Sequence, residues 1–170
     1  MSIMSIEDLK VDIKVKGKVH NFDFNQELGI SHNNPQLLNE EMSQQPSKYA
    51  WIGVLHALAN DHYERLNTTL KTKYATLDKK HREKRNDEGL KVTEAVIASD
   101  IERDKEYIVA REELQNSKLN RDILSVAMAA FQQRKDMLIS IGSNLRAERD
   151  MNLSIKKDKV KKLLNERREN

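Results

Sequence analysis

The sequence predicts an all-α fold: one long antiparallel helical hairpin with a short β-hairpin-like arm at its N-terminus, oligomerising through helical seams. Three observations predict this fold. Charged residues make up 34% of the chain, against about 25% in an average globular protein, and most of them have high helix propensity. Apolar residues recur every three or four positions over two long stretches, which is a helical period. A basic turn ending in Gly89 separates the two stretches.

The N-terminal arm, residues 1–34, has the alternating pattern of a β-hairpin. Apolar and polar residues alternate over Val11–Lys16, and again at Val19 and Phe22–Phe24, which is the period of a half-buried strand. Lys16–Lys18 contains a glycine and predicts the turn. Because an isolated two-stranded hairpin is only marginally stable in water, we expect it to pack on its own helices or on another subunit. The alternative is a flexible arm.

The first long helix is predicted to begin at Pro46, after a connector, residues 35–45, that contains a short helix. Asn34 and Pro35 suit the N-cap and first position of that short helix, and Pro46 suits the first turn of the next one. Gly89 is a natural end of the long helix. Its apolar stripe is predicted to comprise Ile52, Leu55, Ala59, Tyr63, Leu66, Leu70, Tyr74 and Leu77.

The second long helix completes a hairpin core predicted to span residues 46–150. Thr93 suits its N-cap, and Ser99–Glu102 matches a capping box, so we expect the helix to begin or to be interrupted there. Its stripe is predicted to comprise Tyr107, Ala110, Leu114, Leu124, Met128, Phe131 and Leu138. The run Ile123–Phe131 is apolar nearly all round, and such a helix must be buried on every side. A two-helix hairpin does not achieve this alone, so we expect self-association. Residues 151–170 are predicted to be a basic C-terminal helix or tail.

The sequence contains no pattern that predicts catalysis, a metal site or a cofactor. It has no cysteine, and none of its five histidines forms a metal-binding helical pair. Acidic residues of the second long helix are interleaved with Arg103, Lys105 and Arg111, which is typical of a solvated face. The N-terminus lacks the features of a signal peptide, and no apolar run reaches the length that spans a bilayer. We therefore expect a cytoplasmic protein that is not an enzyme and has no contact with a membrane.

Positive charge is concentrated around the turn between the two long helices. Eight basic residues lie there: Lys71, Lys73, Lys79, Lys80, Arg82, Lys84, Arg85 and Lys91. Such a concentration is typical of a phosphate-binding surface, but charged side chains also keep the tip of a helical hairpin in water. The Lys156–Lys162 run near the C-terminus has the same two interpretations. Trp51, the single tryptophan, either packs against the core or stacks on a nucleic-acid base.

Several residues in order give this chain a resemblance to a known family. Tyr49–Trp51 opens a long helix, and a basic turn ends in Lys91–Ala95. Further along follow Ile123-Leu124, Ala129-Ala130-Phe131, Arg134-Lys135-Asp136 and Arg146-Ala147-Glu148. This layout, from Tyr49 to Arg149, resembles the recombination mediator proteins of T-even-like bacteriophages, the UvsY family. The arm and the tail depart from the shorter family pattern.

The resemblance implies a non-enzymatic helical protein that forms a closed ring and binds single-stranded DNA. Such proteins act with single-strand-binding protein and load a RecA-like recombinase onto the strand. By position, the resemblance assigns Lys79, Lys80, Arg82, Lys84, Arg85 and Lys91 to DNA binding, with Arg134 and Lys135 as second choices. Lys71 and Lys73 are DNA-binding candidates only as members of the same basic concentration. It assigns the inter-subunit seam to Leu124, Met128, Phe131 and Leu138. Two other functions remain open: a phage assembly or scaffold protein, and a protein-binding inhibitor of a host pathway that docks through the N-terminal hairpin.

Overall fold

The structure, a computed structural model, describes residues 9–15, 17–31 and 34–166, with side chains described through Lys161. It confirms the predicted fold class, a long helical hairpin with a small N-terminal sheet. The elements are β1 (Lys10–Val15), β2 (Lys18–Asp23), α1 (Phe24–Leu28), α2 (Pro35–Asp87), α3 (Glu94–Arg103) and α4 (Lys105–Glu166). No helix in the described part of the chain is both long and apolar enough to cross a membrane.

The β-hairpin forms where the alternating pattern predicts it. Strands β1 and β2 pair antiparallel, with Ile13 opposite His20 and Val15 opposite Lys18. Gly17 in the turn has φ 79°, a conformation that favours glycine because other residues pay a steric cost there. Lys16, the other predicted turn residue, lies outside the described residues. The inward side chains Ile13, Val15 and Phe22 are buried, so the hairpin packs on the helices of its own chain.

Helix α2 begins at Pro35 and continues through Pro46, so the predicted connector and the predicted helix start at Pro46 are wrong. Asn34 caps α2 as expected, accepting hydrogen bonds from two backbone N–H groups. Proline inside a helix removes one backbone hydrogen bond and costs about 3 kcal/mol. Leu38 and Gln45 are both buried on the N-terminal side of Pro46, and Ile52 is buried beyond it. Tertiary packing on both sides therefore holds one continuous helix.

The second half of the hairpin is two helices. Thr93 caps α3, as predicted, by accepting a hydrogen bond from the Val96 N–H. The interruption comes at Asp104 and not at Ser99, which lies inside α3. Asp104 has an extended backbone conformation, and its carboxylate accepts a hydrogen bond from the Glu106 N–H at 2.8 Å, so it caps the start of α4. Helix α4 then runs 62 residues and includes most of the predicted tail.

Two separate apolar clusters hold the hairpin together. The main core joins the β-hairpin to the N-terminal half of α2 and the middle of α4, and its buried members are Ile13, Val15, Phe22, Ile52, Leu55, Ala59, Leu124, Ala127 and Phe131. The tip cluster joins Leu77 of α2 to Ile97 and Ile101 of α3. Between them the stripe of α2 is only partly buried: Tyr63, Leu66 and Leu70 are half-buried. On the exposed side of this stretch, Thr68, Thr72 and Thr76 donate their hydroxyl groups to their own helix.

The predicted seam residues lie inside the single chain. Leu124 and Phe131 are fully buried in the main core, and Leu138 is buried further along α4. Met128 packs against the same core. Their assignment to an inter-subunit seam is therefore wrong for the buried members, because α2 and the β-hairpin already cover them. The run Ile123–Phe131 is also not covered all round, since Val126 is 71% exposed.

Helix α4 extends beyond the helix on which it packs. Met42, in the second turn of α2, lies beside Gly142, whose added Cβ would stand 3.6 Å from the Met42 sulfur. Because α2 begins only seven residues earlier, the rest of α4 has no partner helix. Every described side chain over residues 146–161 is exposed. The C-terminal part of α4 is thus a single projecting helix.

Candidate nucleic-acid interface

The two arginines of the predicted basic turn are engaged within the chain. Arg82 Nε lies 2.7 Å from Asp78 Oδ2, and Arg82 Nη2 lies 2.5 Å from Glu94 Oε2. Arg85 Nε lies 2.6 Å from Asp100 Oδ2 of α3. The pairs with Glu94 and Asp100 connect the end of α2 to α3. Arg82 and Arg85 therefore stabilise the tip, and their role as phosphate contacts stays a prediction.

Folding also brings acidic residues to the basic turn. Residues 78–105 contain eight Lys or Arg and eight Asp or Glu, so the tip as a whole is balanced in charge. Asp78, Glu83, Asp87 and Glu88 lie within the basic turn itself, and the other four acidic residues come from α3 and its two ends. The tip is a mixed-charge surface on which individual lysines project.

The cations that the tip offers to solvent are its lysines and Arg103. The Lys79 and Lys84 side chains are 79% and 68% exposed, with acidic neighbours one turn away at 3.8 and 3.9 Å. Lys80, Lys91 and, further along α2, Lys71 are exposed as well. Exposed ion pairs at this distance contribute little, so these ammonium groups can exchange their neighbours for phosphates. Lys73 is half-buried, with Glu106 at 3.8 Å.

Arg134 is a structural residue and not a DNA contact. Its side chain is only 4% exposed and donates hydrogen bonds to the Gly29 carbonyl, Gln45 Oε1 and Glu41 Oε2. Gln45 in turn donates to the Phe131 carbonyl at 2.7 Å. The position of Arg134, three residues after Phe131 and four before Leu138 on the core face, was the signal in the sequence for this burial. Lys135 is half-exposed and lies 3.3 Å from Asp136.

A second group of lysines lies on the projecting end of α4. Lys156, Lys157, Lys159 and Lys161 are all exposed there, with Asp158 the one acidic residue among them. Among the described side chains, none of these four forms an ion pair within 4 Å. This end therefore carries a net positive charge that the fold does not neutralise, unlike the tip.

Trp51 lies on α2 beside the β-hairpin and is partly packed. Its ring centroid is 5.1 Å from that of Phe22 and 6.5 Å from that of His20. The residue nevertheless remains 42% exposed. One part of the ring therefore packs on the hairpin, and the rest is open to solvent.

The carboxylates of the tip are held in their charged form. The Arg82 and Arg85 guanidinium groups lower the pKa of Asp78 and Asp100 respectively. The pKa of Asp104 is lowered chiefly by the hydrogen bond from the Glu106 N–H, and further by His81, whose Nε2 lies 3.3 Å away. These interactions favour ionised carboxylates at neutral pH.

Acidification is therefore expected to destabilise the tip. A carboxyl group whose pKa is lower in the folded protein contributes stability that is fully present above its unfolded pKa, about 3.9, and disappears as the pH falls through the folded value. Thermal unfolding followed by circular dichroism should give similar midpoints from about pH 7 to 5 and lower midpoints below about pH 4. Asp100→Asn should be less stable at neutral pH and lose less on acidification. An acid-independent midpoint would contradict this assignment.

The described residues contain no group of three or more side chains suited to hold a metal ion. Three acidic residues of α3 and early α4 pair with basic residues of α2: Glu94 with Arg82, Asp100 with Arg85, and Glu106 with Lys73. Comparison with known proteins gives no match: no family model, no curated protein and no solved structure is significantly similar to this chain.

Proposed function

We propose that this protein binds single-stranded DNA through exposed lysines and acts as a recombination or replication mediator. In this proposal it is a homo-oligomer, a ring, that helps to load a RecA-like recombinase onto a strand occupied by single-strand-binding protein. The partners and the ring come from the resemblance described above. The DNA-binding surface is argued from the positions of the basic residues.

The observation that carries the proposal is the division between arginines and lysines. Arg82, Arg85 and Arg134 are used inside the fold, whereas Lys79, Lys80, Lys84 and Lys91 project from the tip. A lysine ammonium on a flexible stem is a mobile point charge, which suits contacts with phosphates irrespective of sequence. The lysines at the end of α4 extend the same property to the other end of the molecule.

Oligomerisation in this proposal uses an exposed stripe of α4. Ile108, Leu119, Val126 and Met137 are each 40% exposed or more, and their spacings of 11, 7 and 11 residues place them on one face of the helix. This face is separate from the one that packs on α2. It replaces the buried seam predicted from the sequence, and in a ring it would repeat the tip lysines so that weak contacts add through avidity.

Charge reversal of the tip lysines is expected to weaken DNA binding strongly. One variant replaces four exposed lysines of the tip: Lys79→Glu, Lys80→Glu, Lys84→Glu, Lys91→Glu. It removes four phosphate contacts, and each contact contributes about 0.7 to the slope of log affinity against log salt concentration. Affinity for a labelled single-stranded oligonucleotide, measured by fluorescence anisotropy, should fall about 10- to 100-fold at low salt. The salt slope should become shallower by about 3.

A matched variant separates local contacts from net charge. The matched variant changes the net charge by the same amount as the tip variant, at exposed positions away from the tip. Its substitutions are Lys10→Glu, Lys14→Glu, Arg111→Glu, Lys118→Glu. It should lose much less affinity than the tip variant. Equal losses in the two variants would mean that only net charge matters. Undiminished binding by the tip variant would exclude the tip from the interface.

The second candidate function is an assembly or scaffold protein. The charge balance of residues 78–105 favours it, because a neutral tip attracts a polyanion only weakly. Under this alternative the tip variant would form the same oligomer, and the unaltered chain would bind no single-stranded DNA at either low or high salt. Mass photometry of the anisotropy samples measures the oligomer directly.

A further inference from the structure

Trp51 is partly exposed to solvent, although the core residues beside it on α2 are buried. The next residue, Ile52, is fully buried, and Leu55 one turn further is nearly so. Trp51 itself remains 42% exposed and is followed one turn later by Val54, which is 58% exposed. The main core therefore does not need the whole indole ring. A large aromatic surface is left open on the outer side of α2.

The ring is held in place by the β-hairpin. Phe22, against which Trp51 packs at an interplanar angle of 35°, is itself buried and stacked on Phe24. His20 meets the indole edge-on at 68°. A side chain that is already ordered loses little entropy when it binds a partner. Trp51 is thus a preorganised aromatic surface and not a mobile one.

The chemistry of such a surface matches an unstacked base. Phosphate contacts alone do not distinguish a single strand from a duplex, because both present phosphates. In a duplex the faces of the bases are covered by their neighbours, whereas a single strand can place a base on an aromatic ring. Lys18 lies on the same side of β2 as His20 and Phe22, because alternate residues of a strand share a face, and it offers a cation to the adjoining phosphate.

We propose that Trp51 is a base-stacking residue that gives this protein its preference for single-stranded over double-stranded DNA. This inference rests on the proposed function and deepens it. Along α2, Trp51 is about 50 Å from Lys84 at 1.5 Å per residue. A short strand stacked on Trp51 therefore does not reach the tip of the same chain, and the two kinds of contact can be measured separately.

Because Trp51 is the single tryptophan, its fluorescence reports on stacking directly. The probes are a short oligothymidylate and an abasic oligomer with the same number of phosphates. Oligothymidylate should quench the emission of the unaltered protein, and the abasic oligomer should not. Trp51→Ala should weaken oligothymidylate binding, measured by anisotropy, about 5- to 150-fold, the range for loss of one stacked base. It should leave binding of the abasic oligomer unchanged.

Two further variants serve as controls. Tyr49→Ala truncates another exposed aromatic residue of α2 that has no ring contact with the hairpin among the described residues, and it should bind oligothymidylate like the unaltered protein. Trp51→Leu retains an apolar side chain against Phe22 and should show the same loss as Trp51→Ala. If Trp51→Ala unfolds by circular dichroism, Trp51→Leu and the quenching measurement still decide the question.

The outcomes separate the two proposals. If both oligomers bind equally and neither quenches Trp51, the stacking assignment is overturned while DNA binding through phosphates stands. If neither oligomer binds, the proposed function fails, and the stacking assignment fails with it. The inference is supported if oligothymidylate quenches Trp51 in the unaltered protein and if Trp51→Leu no longer binds oligothymidylate more tightly than the abasic oligomer.

Discussion

Arg134→Met should lower the free energy of unfolding by about 3 to 5 kcal/mol, the usual range for breaking a buried ion pair. Arg134 joins three parts of the chain: it donates to the Gly29 carbonyl before α2, to Glu41 and Gln45 on α2, and it belongs to α4. Methionine fills much of the same volume but leaves these acceptors without a donor. A buried acceptor that has lost its donor retains the free-energy cost of leaving water, and no hydrogen bond offsets that cost.

The neighbouring residue provides the control for this prediction. Lys135→Met removes a positive charge one position away, but the Lys135 side chain is half-exposed and pairs only with Asp136, so its loss should stay within about 0.5 kcal/mol. Urea unfolding of both variants measures the difference. Arg134→Met combined with Glu41→Gln should recover part of the loss, because the double variant no longer contains an unpaired carboxylate. A loss below about 1 kcal/mol in the single variant would show that the network is dispensable.

Phe131→Ala should cost about 3 to 5 kcal/mol, and this cost should not depend on protein concentration. Phe131 is fully buried in the main core, and removing a core phenylalanine forfeits its transfer free energy and leaves a cavity. If Phe131 instead lay in a seam between subunits, the variant would change the oligomer. The stability lost in Phe131→Ala would then depend on protein concentration, because association stabilises by mass action.

Val126 provides the complementary variant. It lies five residues before Phe131 on the exposed stripe of α4 and is 71% exposed. Val126→Asp should reduce the oligomer in mass photometry and should lose only the part of the stability that depends on protein concentration. Unfolding at two concentrations and mass photometry of both variants separate the two faces. The reverse result, an unaltered oligomer in Val126→Asp and a smaller one in Phe131→Ala, would restore the seam predicted from the sequence.

The sequence was informative wherever a short-range pattern decides the structure. Alternation over Val11–Val15 and the glycine at position 17 predict the β-hairpin, because strand pleat and turn geometry are local properties. Thr93 predicts the start of α3 because an N-cap needs only a side chain and the next turn of backbone. The position of Pro46 was misleading for the same reason. Proline weakens the helix at that position. The burial of Leu38 and Gln45 outweighs this cost, and that burial depends on tertiary contacts that the neighbouring sequence does not show.

The candidate site was harder to predict because charge pairing depends on tertiary structure. The basic residues of the turn form a nearly continuous run in the sequence, yet Arg85 pairs with Asp100, 15 residues later. Arg82 pairs with Glu94 across the turn. Nothing in the run distinguishes these arginines from Lys79 and Lys84, which stay exposed. Only the return of α3 along α2 decides which cations are engaged by the fold and which remain open to solvent.

The packing of the β-hairpin on α4 has a consequence for synthesis of the chain. Lys14 of β1 accepts a hydrogen bond from Asn120, 106 residues later, and Ile13 shares a core with Phe131. At ribosomal rates of 5–20 residues per second, the nascent hairpin waits roughly 5 to 20 s before its partner residues are made. Through this interval the hairpin can already contact α2, but the part of its apolar face that packs on α4 is uncovered. Cotranslational binding by a chaperone should therefore be strongest at this segment and end once the middle of α4 has emerged.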